Sequence, residues 1–565
     1  VECDLEPAEP GTVPVDPACD ALAGEVVVDP WNLTIEWQWT VDATESGVIV
    51  MPAIGNLTDD DGDGQITAND DPEVAFTTWG GASRLVVLDS DGTERFTVPG
   101  ANGQAGVTIA DVTGDGWPEV IALTAGGQVV AVDGTGAVLW IADPLVLSFY
   151  PQPTVADLDN NGVAEVIFDT AILDGPTGQW LATITGVATS WRTPAVADLD
   201  LDGTREIVLG EIVARPDGTT KWSMGGGYGY GGNFAAIADI DGDPEGEVLS
   251  VSGSTLSAFD SDGTLLGSTL TAGFNAGPPS VADFDGDGEV EIAVPAGSIL
   301  AVYETTGQLV WSMPIQDNSG LAGCSGYDVD GDGAYEVLYA DETDLRIYDG
   351  RTGTVWYQNG SHDSATVWEY PVTADVDNDG SAEIAIASNF GEYRGVTVFG
   401  HAGAGWSKSG PTWGTHDFAV TNLLADGSVP SNETPSWQVH NTFRARPTVD
   451  DPGQPDPHLS IGEPCWTGCG ADDTFELPWQ VDNAGGAALP AGAEVHLLAV
   501  TSGAEVELAS TVLPAVAPGE LLPGGVFTVA ASDLAGADQY RVRLDGWTLD
   551  CHPGDTELER PTPCP

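Results

Sequence analysis

The chain has 565 residues, with 88 Asp and Glu against 15 Lys and Arg, and its formal net charge is −73. Such a surface repels phosphate backbones and anionic headgroups, which argues against nucleic acid and anionic membranes as partners. No apolar run reaches the length that a transmembrane helix requires, so we expect no transmembrane span. The length alone suggests several domains, but a repeat array can place about 400 residues in one closed body.

Residues 1–23 form a Pro- and acid-rich segment without enough apolar residues for a core of its own. Cys3 and Cys19 bracket the segment, and we expect either a loop closed by their disulfide or a disordered arm. The first residues lack the apolar core of a signal peptide, so we expect a secreted chain whose signal peptide was removed before Val1.

A nine-residue acidic loop organises the chain from residue 24 onward, and its clearest copy is DFDGDGEVE, from Asp283 to Glu291. The loop has carboxylates at positions 1, 3, 5 and 9 and a glycine, Gly288, at position 6. Ca²⁺ is a hard cation that takes six to eight oxygen ligands, and alternating acids converge on one point when a glycine permits the bend. One such loop is weak evidence, but the chain repeats it eight times.

The eight copies predict up to eight calcium ions. The first copy is longer and has the spacing of an EF-hand loop. The candidate ligands, copy by copy, are Asp59, Asp61, Asp63 and Asp70; Asp111, Thr113, Asp115 and Glu119; Asp157, Asp159, Asn161 and Glu165; Asp198, Asp200, Asp202 and Glu206; Asp239, Asp241, Asp243 and Glu247; Asp283, Asp285, Asp287 and Glu291; Asp328, Asp330, Asp332 and Glu336; and Asp375, Asp377, Asp379 and Glu383. Thr113, Asn161 and Pro244 depart from the pattern, so the second, third and fifth sites are expected to be weak or empty.

The spacing of the copies indicates the fold. Successive closing glutamates, counted from Glu73, lie 41 to 47 residues apart, which is typical of propeller blades. Each unit contains four short strands with Asp-Gly or Thr-Gly hairpin turns, as one blade does. We therefore expect an all-β fold with an eight-bladed β-propeller over residues 24–446, or a seven-bladed one if one unit is absorbed into ring closure. An N-terminal strand around LTIEWQWT is expected to complete the last blade.

The units resemble the FG-GAP or VCBS repeats of integrin-type β-propellers and of secreted bacterial proteins, because the acidic loop, the next strand and the turn recur together. The resemblance covers about residues 36–446 and implies calcium binding and an extracellular or cell-surface location. Eight-bladed calcium propellers of this general type also include polysaccharide lyases. The segment Trp413–Arg444 is similar to a tail that follows such repeats, and we expect it to pack over the closure.

A Pro/Asp linker, 447–457, separates the propeller from residues 458–565, whose short strands and turns indicate an immunoglobulin-like β-sandwich. The pattern VDNAGGAALPAGAEVHL resembles the CARDB-type adhesion module of bacterial surface proteins. Cys465, Cys469, Cys551 and Cys564 predict two disulfides of undetermined connectivity, with a zinc site as the alternative. Cys324 is expected to be a small buried apolar residue.

These features favour a calcium-stabilised adhesion or binding protein of the cell surface or secreted matrix. Its ligand would be a surface protein or a glycan, contacted by Tyr228 and Tyr230 in the stretch GGGYGYGGNF, although a plain inter-blade loop is the simpler interpretation. The first alternative is a polysaccharide-active enzyme, for which four histidines (His362, His401, His416 and His440) beside Asp363, Asp417, Arg444 and Arg446 are the best constellation. No spaced catalytic motif accompanies them, so we favour no enzymatic activity. The second alternative is a structural subunit of a surface appendage that self-associates through its termini.

Overall fold

The computed structural model describes residues 30–60, 62, 64–144, 149–187, 193–225, 233–317, 319–402, 405–431, 433–448, 457–470, 472–484, 489, 492–517, 520–545 and 556–563, together with the backbone of residues 11–12. The chain divides into two compact units: a repeat unit, residues 26–449, and a sandwich unit, residues 1–25 and 450–565. Both units consist of β-strands, here numbered β1–β43 in chain order, so the predicted all-β class is confirmed. No helix in the described ranges is long and apolar enough to cross a membrane.

Eight sheets of four or five strands make up the described part of the repeat unit. Sheets 1 to 4 contain β3 (Ala53–Gly55), β4 (Glu73–Thr77), β5 (Arg84–Leu88) and β6 (Glu94–Pro99); β7 (Thr108–Ala110), β8 (Glu119–Leu123), β9 (Gln128–Val132) and β10 (Val138–Pro144); β11 (Pro153–Ala156), β12 (Glu165–Phe168), β13 (Ala171–Asp174) and β14 (Trp180–Thr183); and β15 (Ala195–Ala197), β16 (Glu206–Leu209), β17 (Ile212–Ala214) and β18 (Thr220–Ser223).

Sheets 5 to 8 continue the same order. They contain β19 (Asn233–Ala238), β20 (Glu247–Ser252), β21 (Thr255–Phe259) and β22 (Leu265–Leu270); β23 (Ser280–Ala282), β24 (Glu291–Ala296), β25 (Ile299–Glu304) and β26 (Leu309–Pro314); β27 (Ser325–Tyr327), β28 (Glu336–Ala340), β29 (Leu345–Tyr348), β30 (Val355–Asn359) and β34 (Ala445–Arg446); and β31 (Val372–Ala374), β32 (Glu383–Ser388), β33 (Gly395–His401) and β2 (Leu33–Thr40). In every sheet the second strand begins at the closing glutamate of the acidic loop.

The sheets pack face to face in chain order. The first strand of each sheet contacts that of the next, from β3 with β7 through β23 with β27. Apolar clusters fill the spaces between neighbouring sheets, so the second and third strands are almost wholly buried whereas the fourth is half-exposed. This arrangement of small antiparallel sheets is propeller-like.

The eighth sheet lies beside the first. Strand β2 pairs antiparallel with β33, which confirms the prediction that an N-terminal strand completes the last sheet. From β2, Trp39 packs edge-on against Phe76 of β4 with centroids 5.0 Å apart, and the Trp37 Nε1 donates to the Ser90 carbonyl at 2.7 Å. The Asn378 side chain in the eighth acidic loop donates to the Asn69 carbonyl in the first at 2.7 Å.

A tryptophan clamp recurs between neighbouring sheets. Trp140, Trp222 and Trp311, on the fourth strands of sheets 2, 4 and 6, donate through Nε1 to a backbone carbonyl in the turn of the next sheet at 2.6 to 2.8 Å. At Gly178, where φ is +67°, an added Cβ would lie 2.3 Å from the Trp140 ring, so the turn must carry glycine. Trp406 follows β33 and donates through Nε1 to the Pro30 carbonyl at 2.7 Å.

The segment from Trp413 to Arg446 lies across the first strands of several sheets, and that Trp413–Arg444 packs over a ring closure stays a prediction. Trp413 pairs with Ile54, Phe443 pairs with Val281, and β34 pairs in parallel with β27. The buried Arg444 guanidinium donates to the carbonyls of Ala235, Pro279 and His416 at 2.9 to 3.1 Å. A short 3-10 helix, Ser436–Gln438, belongs to this segment.

The sandwich unit consists of two sheets that share one apolar core. One sheet contains β1 (Gly11–Thr12), β35 (Pro457–Ile461), β36 (Cys465–Trp466), β37 (Thr474–Asn483), β40 (Glu520–Leu521) and β41 (Gly525–Ala530); the other contains β38 (Glu494–Thr501), β39 (Ala504–Val512), β42 (Gln539–Asp545) and β43 (Glu557–Pro561). Alternate residues of β37 are buried, and Phe475 packs on Tyr540 across the core at 5.2 Å. A second 3-10 helix spans Ala531–Leu534.

The N-terminal segment does not form a unit of its own. Strand β1 pairs with β40 in the sandwich, with Gly11 opposite Leu521. Gly11 and Thr12, which lie within the segment 1–23 that the composition sets apart, thus form an edge strand whose hydrogen-bonding partners lie more than 500 positions later. A composition-based argument has no access to such a pairing.

Candidate metal centres

All eight acidic loops join the first strand of a sheet to the second. Because the strands are antiparallel, these connections lie at one end of the repeat unit, here called the acidic end. In at least five loops, ligand atoms of the first aspartate, of a second aspartate and of the closing glutamate lie within 4.8 Å of one another. These loops are those closed by Glu119, Glu165, Glu206, Glu247 and Glu291. The arrangement can hold a metal ion.

The closing glutamate is held in the same way in every loop. Its Oε2 accepts the backbone N–H of the residue seven positions earlier in loops 2 to 8, and sixteen earlier in loop 1, at 2.7 to 3.1 Å. The acceptors are Glu73, Glu119, Glu165, Glu206, Glu247, Glu291, Glu336 and Glu383. Oε2 therefore fixes the side chain in every loop, whereas the surroundings of Oε1 differ from loop to loop: it has no partner in Glu247 and Glu291 but accepts from Lys221 in Glu206.

The first aspartate is positioned by backbone N–H groups of its own loop. In loop 6, Asp283 Oδ1 accepts the Gly286 N–H at 2.6 Å, and Oδ2 accepts the Gly288 N–H at 2.9 Å. Gly288 has φ of +96°, the left-handed bend that the calcium interpretation requires. Loops 2, 3, 4, 7 and 8 repeat the contact to the glycine at position 6.

Two of the closing glutamates have a buried carboxylate oxygen without a hydrogen-bond partner, which suits a cation. Glu247 Oε1 and Glu291 Oε1 are buried and accept no hydrogen bond, and the two residues are 0% and 1% exposed. Burial, reinforced by the charges of Asp285 and Asp283, raises the pKa of Glu291 to about 8. An ionised carboxylate in such a place needs a positive partner, and Ca²⁺ would supply it through the side chains of Asp283, Asp285, Asp287 and Glu291.

Loops 7 and 8 are the most enclosed. Burial raises the pKa of Glu336 well above its usual range and that of Glu383 to about 10, with nearby loop carboxylates adding to both shifts. Arg351 binds Asp332 with two nitrogens, at 2.6 and 3.1 Å, and donates to the Asp285 carbonyl of loop 6 at 3.1 Å. This arginine therefore joins two neighbouring loops.

The three loops that depart from the pattern show what the departures change. Thr113 donates its hydroxyl to Glu119 Oε1 at 3.2 Å, and Asn161 Oδ1 accepts the Val163 N–H at 2.8 Å. In loop 5, Pro244 has no N–H to give Asp239, and its carbonyl instead accepts the Trp437 Nε1 at 3.1 Å. Each loop has one fewer charged ligand or one fewer backbone contact, and that these sites are weak or empty stays a prediction.

Loop 1 contains two overlapping sets of candidate ligand residues. In the first, Asp59 accepts the N–H groups of Gly62 and Gly64 at 2.7 and 2.8 Å, and Asp70 accepts the N–H of Asp60 at 2.8 Å, as in the other loops. Asp61 and Asp63 lie outside the described residues. In the second, Asn56, Thr58 and Glu73 occupy positions 1, 3 and 9 of the ordinary repeat.

The acidic run of residues 59–70 is therefore an insertion into an ordinary loop, and the sequence alone did not separate the two arrangements. Asn56 is missed by an acid-based search because an amide stands at position 1. Its Oδ1 is buried without a partner, while its Nδ2 donates to the carbonyls of Thr67 and Ala425 at 2.6 and 3.0 Å.

Basic and acidic side chains on fourth strands also reach the loops. In sheet 4, Lys221 Nζ donates to Asp200 Oδ2 at 2.6 Å and to Glu206 Oε1 at 2.8 Å. In sheet 8, Glu36 has its pKa raised to about 7 by desolvation and then by Asp377, Asp379 and Asp375 of loop 8. Neither residue belongs to the loop motif, so the sequence search did not find them.

The four histidines have different surroundings. His362 is 2% exposed, burial lowers its pKa to about 4, and its Nδ1 contacts the Ser388 hydroxyl at 2.8 Å. His416 is 1% exposed, and burial together with Arg444 lowers its pKa well below the usual value. His401 Nδ1 accepts the Gly405 N–H at 3.0 Å, and His440 is exposed. The buried pair cannot reach a polymeric substrate.

The remaining candidate residues are partly outside the described chain. Cys465 and Cys469 are disulfide-bonded, and Cys324 is a buried free thiol. Cys3, Cys19, Cys551 and Cys564 lie outside the described residues, and so do Tyr228 and Tyr230. The predictions for these six residues stay predictions.

Comparisons with known proteins agree with this architecture. Residues 328–386 match the FG-GAP-like repeat. The matched stretch runs from the first aspartate of loop 7 into β32, and thus contains the whole of loops 7 and 8. A comparison with curated proteins finds no significant match.

Among solved structures, the chain is similar to the V. cholerae biofilm matrix protein Bap1, with 18% identity, a TM-score of 0.63, and coverage of 74% of this chain and 99% of that one. It also matches the rhamnogalacturonan lyase YesW at 17% identity, covering 66% of this chain and 76% of the lyase, with a TM-score of 0.48. At these identities the likeness to Bap1 shows the fold alone. With the FG-GAP-like match, it supports a β-propeller.

Proposed function

We propose that this chain is a calcium-stabilised adhesion or binding protein of the cell exterior. In this proposal, the eight sheets are the blades of one closed propeller, and residues 458–565 form an immunoglobulin-like module of the CARDB type that serves as a spacer. The protein is secreted and stays at the cell surface or in a secreted matrix, which is compatible with the likeness to a biofilm matrix protein.

Calcium has a structural role in this proposal. Its support is the closing glutamate, fixed through Oε2 in every loop and left with an orphan Oε1 in loops 5 and 6. Without a cation, carboxylates about 4 Å apart repel each other by about 1 to 4 kcal/mol per pair. The same carboxylates around Ca²⁺ lock the turn between first and second strands.

The end of the repeat unit opposite the acidic end is the proposed binding surface. The single observation that carries this assignment is a set of exposed aromatic side chains in the connections that antiparallel order places there. Phe149 is 59% exposed, Phe274 61%, Phe390 48% and Trp79 37%. Exposed aromatics are costly in water and stack well on sugars or partner side chains, so they mark contact surfaces.

Two of these aromatics flank the same backbone segment. The Trp79 N–H donates to the Gly47 carbonyl at 2.8 Å. Val48, the residue after Gly47, donates its N–H at 3.0 Å to the carbonyl of Ser388, which lies two residues before Phe390. The strands that flank the predicted Gly/Tyr stretch also meet this end, since β18 ends there and β19 begins there. Tyr228 and Tyr230 are therefore retained as proposed ligand contacts.

A glycan array run on the full chain, with calcium and with EDTA, tests the proposal. We expect binding in calcium that is weakened at least tenfold by replacing both Phe149 and Phe274 with alanine. Trp117→Ala is the matched control, because Trp117 is 44% exposed but lies in loop 2 at the acidic end. If no glycan binds, the same variants are tested against surface-protein extracts, and equal loss in the control contradicts the proposed surface.

No specific observation favours the lyase. A lyase requires an accessible base, and His362 and His416 are buried. We therefore expect acidic polysaccharides to remain uncut by the purified chain. New unsaturated chain ends, abolished by replacing His440 or His401, would support the enzyme instead.

A further inference from the structure

The fourth strand of each sheet carries one extra residue opposite the third strand. In sheet 4, Val213 pairs with Trp222 and Ala214 pairs with Thr220, so Lys221 has no opposite residue. Such a β-bulge bends the strand and redirects the side chain of the extra residue. Here the side chain is directed to the acidic loop of its own sheet.

The bulge recurs in all eight sheets. In sheets 1 to 7 it lies between the two residue pairs nearest the turn, and in sheet 8, where no turn joins β33 to β2, it lies between Ile35 and Trp37. In sheets 1 to 8 its residue is Arg95, Leu139, Leu181, Lys221, Leu266, Val310, Trp356 and Glu36. The position is thus apolar in five sheets, basic in two and acidic in one. In sheet 5, Leu266 lines one groove with Asp241 of loop 5, which agrees with this direction.

In sheet 4 the bulge side chain reaches the place where a cation would bind. Lys221 Nζ donates to Asp200 and to Glu206 Oε1, the oxygen that is an orphan in loops 5 and 6. Glu206 is 2% exposed and Lys221 is 14% exposed, so the ion pair is largely shielded from water. The Lys221 ammonium group bridges two candidate ligands and thereby supplies the positive charge that the loop carboxylates need.

Sheet 1 repeats the arrangement with an arginine. Arg95 Nη1 lies 3.3 Å from Glu73 Oε1, and Glu73 closes the ordinary repeat loop of Asn56 and Thr58. That loop has lost its first aspartate, and the chain carries its acidic run in the insertion of residues 59–70 instead. In this second sheet with a basic bulge residue, the ordinary repeat loop itself departs from the metal-binding pattern.

We infer that loop 4 holds the Lys221 ammonium in place of Ca²⁺, and that the bulge residue sets the cation content of each loop. Loop 4 has a full set of aspartates, so its sequence would place a calcium ion where the structure places an internal cation. This inference rests on the proposed calcium role of the other loops. It predicts fewer bound ions than acidic loops.

Counting the calcium bound per chain after equilibrium dialysis tests the inference on the full protein. Lys221→Leu installs the residue that sheets 2, 3 and 5 carry at the bulge, and we expect it to gain one ion. Val310→Lys places a lysine at the bulge of sheet 6, beside the orphan Glu291 Oε1, and we expect it to lose one ion. Arg215→Leu is the control for charge alone, because Arg215 donates to the Thr220 carbonyl at 3.1 Å in the same sheet. Its count should equal that of the wild type.

The outcomes separate this inference from the calcium role itself. A wild-type chain that binds no calcium contradicts the calcium role, and the inference falls with it. A wild-type chain that binds calcium, with counts unchanged by both Lys221→Leu and Val310→Lys, contradicts the inference alone. If Lys221→Leu does not fold, the Val310→Lys count decides, and an unchanged value there overturns the inference.

Discussion

Loops 4 and 6 share one sequence pattern, but the closing glutamate of loop 4 is paired with a lysine and that of loop 6 is not. Both have aspartates at positions 1, 3 and 5, glycine at position 6 and glutamate at position 9. In both, the glutamate accepts the same backbone N–H and the first aspartate accepts the glycine N–H. Glu291 Oε1 is an orphan in loop 6, whereas Glu206 Oε1 accepts from Lys221 in loop 4.

The difference comes from one residue on the fourth strand, Val310 in sheet 6 and Lys221 in sheet 4. The loop motif supplies carboxylates and the turn, but the neighbouring strand decides whether a metal ion is needed to balance them. A motif-based count of metal sites must therefore include residues that reach the loop from other strands.

The largest expected effect is that of removing calcium from the whole chain. Each occupied site adds about 2.7 kcal/mol of stability when free calcium is 100 times its Kd. Emptying several such sites with EDTA should therefore lower the melting temperature by many degrees. Circular dichroism during heating measures this change. The magnesium-loaded chain is the control, because Mg²⁺ fits these loops less well. Equal melting in calcium and EDTA contradicts a structural role.

The second effect compares the two loops directly. In saturating calcium, Asp285→Asn should cost about 2.7 kcal/mol, since loop 6 loses a ligand of its ion. Asp200→Asn should cost only about 0.2 to 1 kcal/mol, because it weakens a partly exposed pair while Lys221 keeps Glu206. Urea unfolding measures both, and the difference should vanish in EDTA. Equal costs in calcium would show that loop 4 also holds an ion.

Much of the fold follows from the sequence. The acidic loops recur at a blade-like spacing, and every closing glutamate begins a second strand, because its carboxylate binds back to the first turn of its loop. The N-terminal strand is recognisable since LTIEWQWT carries the tryptophan of a fourth strand. The pairing of β1 with β40 was not predictable, because two residues carry no pattern and their partner lies at the other end of the chain.

The candidate sites are predictable only within the loops. Lys221 stands 15 positions after Glu206, and Glu36 stands more than 300 positions before Asp375, so no local motif includes them. Their direction depends on the bulge, which is a matter of register between strands. Asn56 is missed for a different reason, because an insertion that resembles an EF-hand loop hides the ordinary repeat around it.

The pH dependence of stability sharpens the account of loop 6. Burial raises the pKa of Glu119 and of Glu291 from 4.5 to about 8 in the calcium-free chain. Their contribution to stability is therefore fully present below pH 4.5 and is lost as the pH rises through about 8. The calcium-free chain should melt at a lower temperature at pH 8 than at pH 5.

Calcium should reverse this trend, because it binds the ionised carboxylates. The gain in melting temperature on adding calcium is therefore expected to grow from pH 5 to pH 8. Differential scanning calorimetry in EDTA and in calcium at both values measures it, and a gain that shrinks with pH contradicts the assignment.

A further effect, confined to one site, is expected at loop 8, where the bulge residue is an acid. Glu36→Leu should weaken calcium binding to that loop roughly tenfold, or about 1.4 kcal/mol, because it removes a carboxylate that faces Asp377 and Asp379. Glu392→Leu is the control, because it makes the same charge change in the connection between β32 and β33, at the opposite end of sheet 8. Calorimetric titration of both variants should show weakening only for Glu36→Leu.

The most direct test is an anomalous difference map from crystals of the calcium-loaded chain. The account predicts a peak in loop 6 among Asp283, Asp285, Asp287 and Glu291, and none in loop 4, where the Lys221 ammonium lies between Asp200 and Glu206. Peaks of equal height in both loops, or no peak in loop 6, would contradict it.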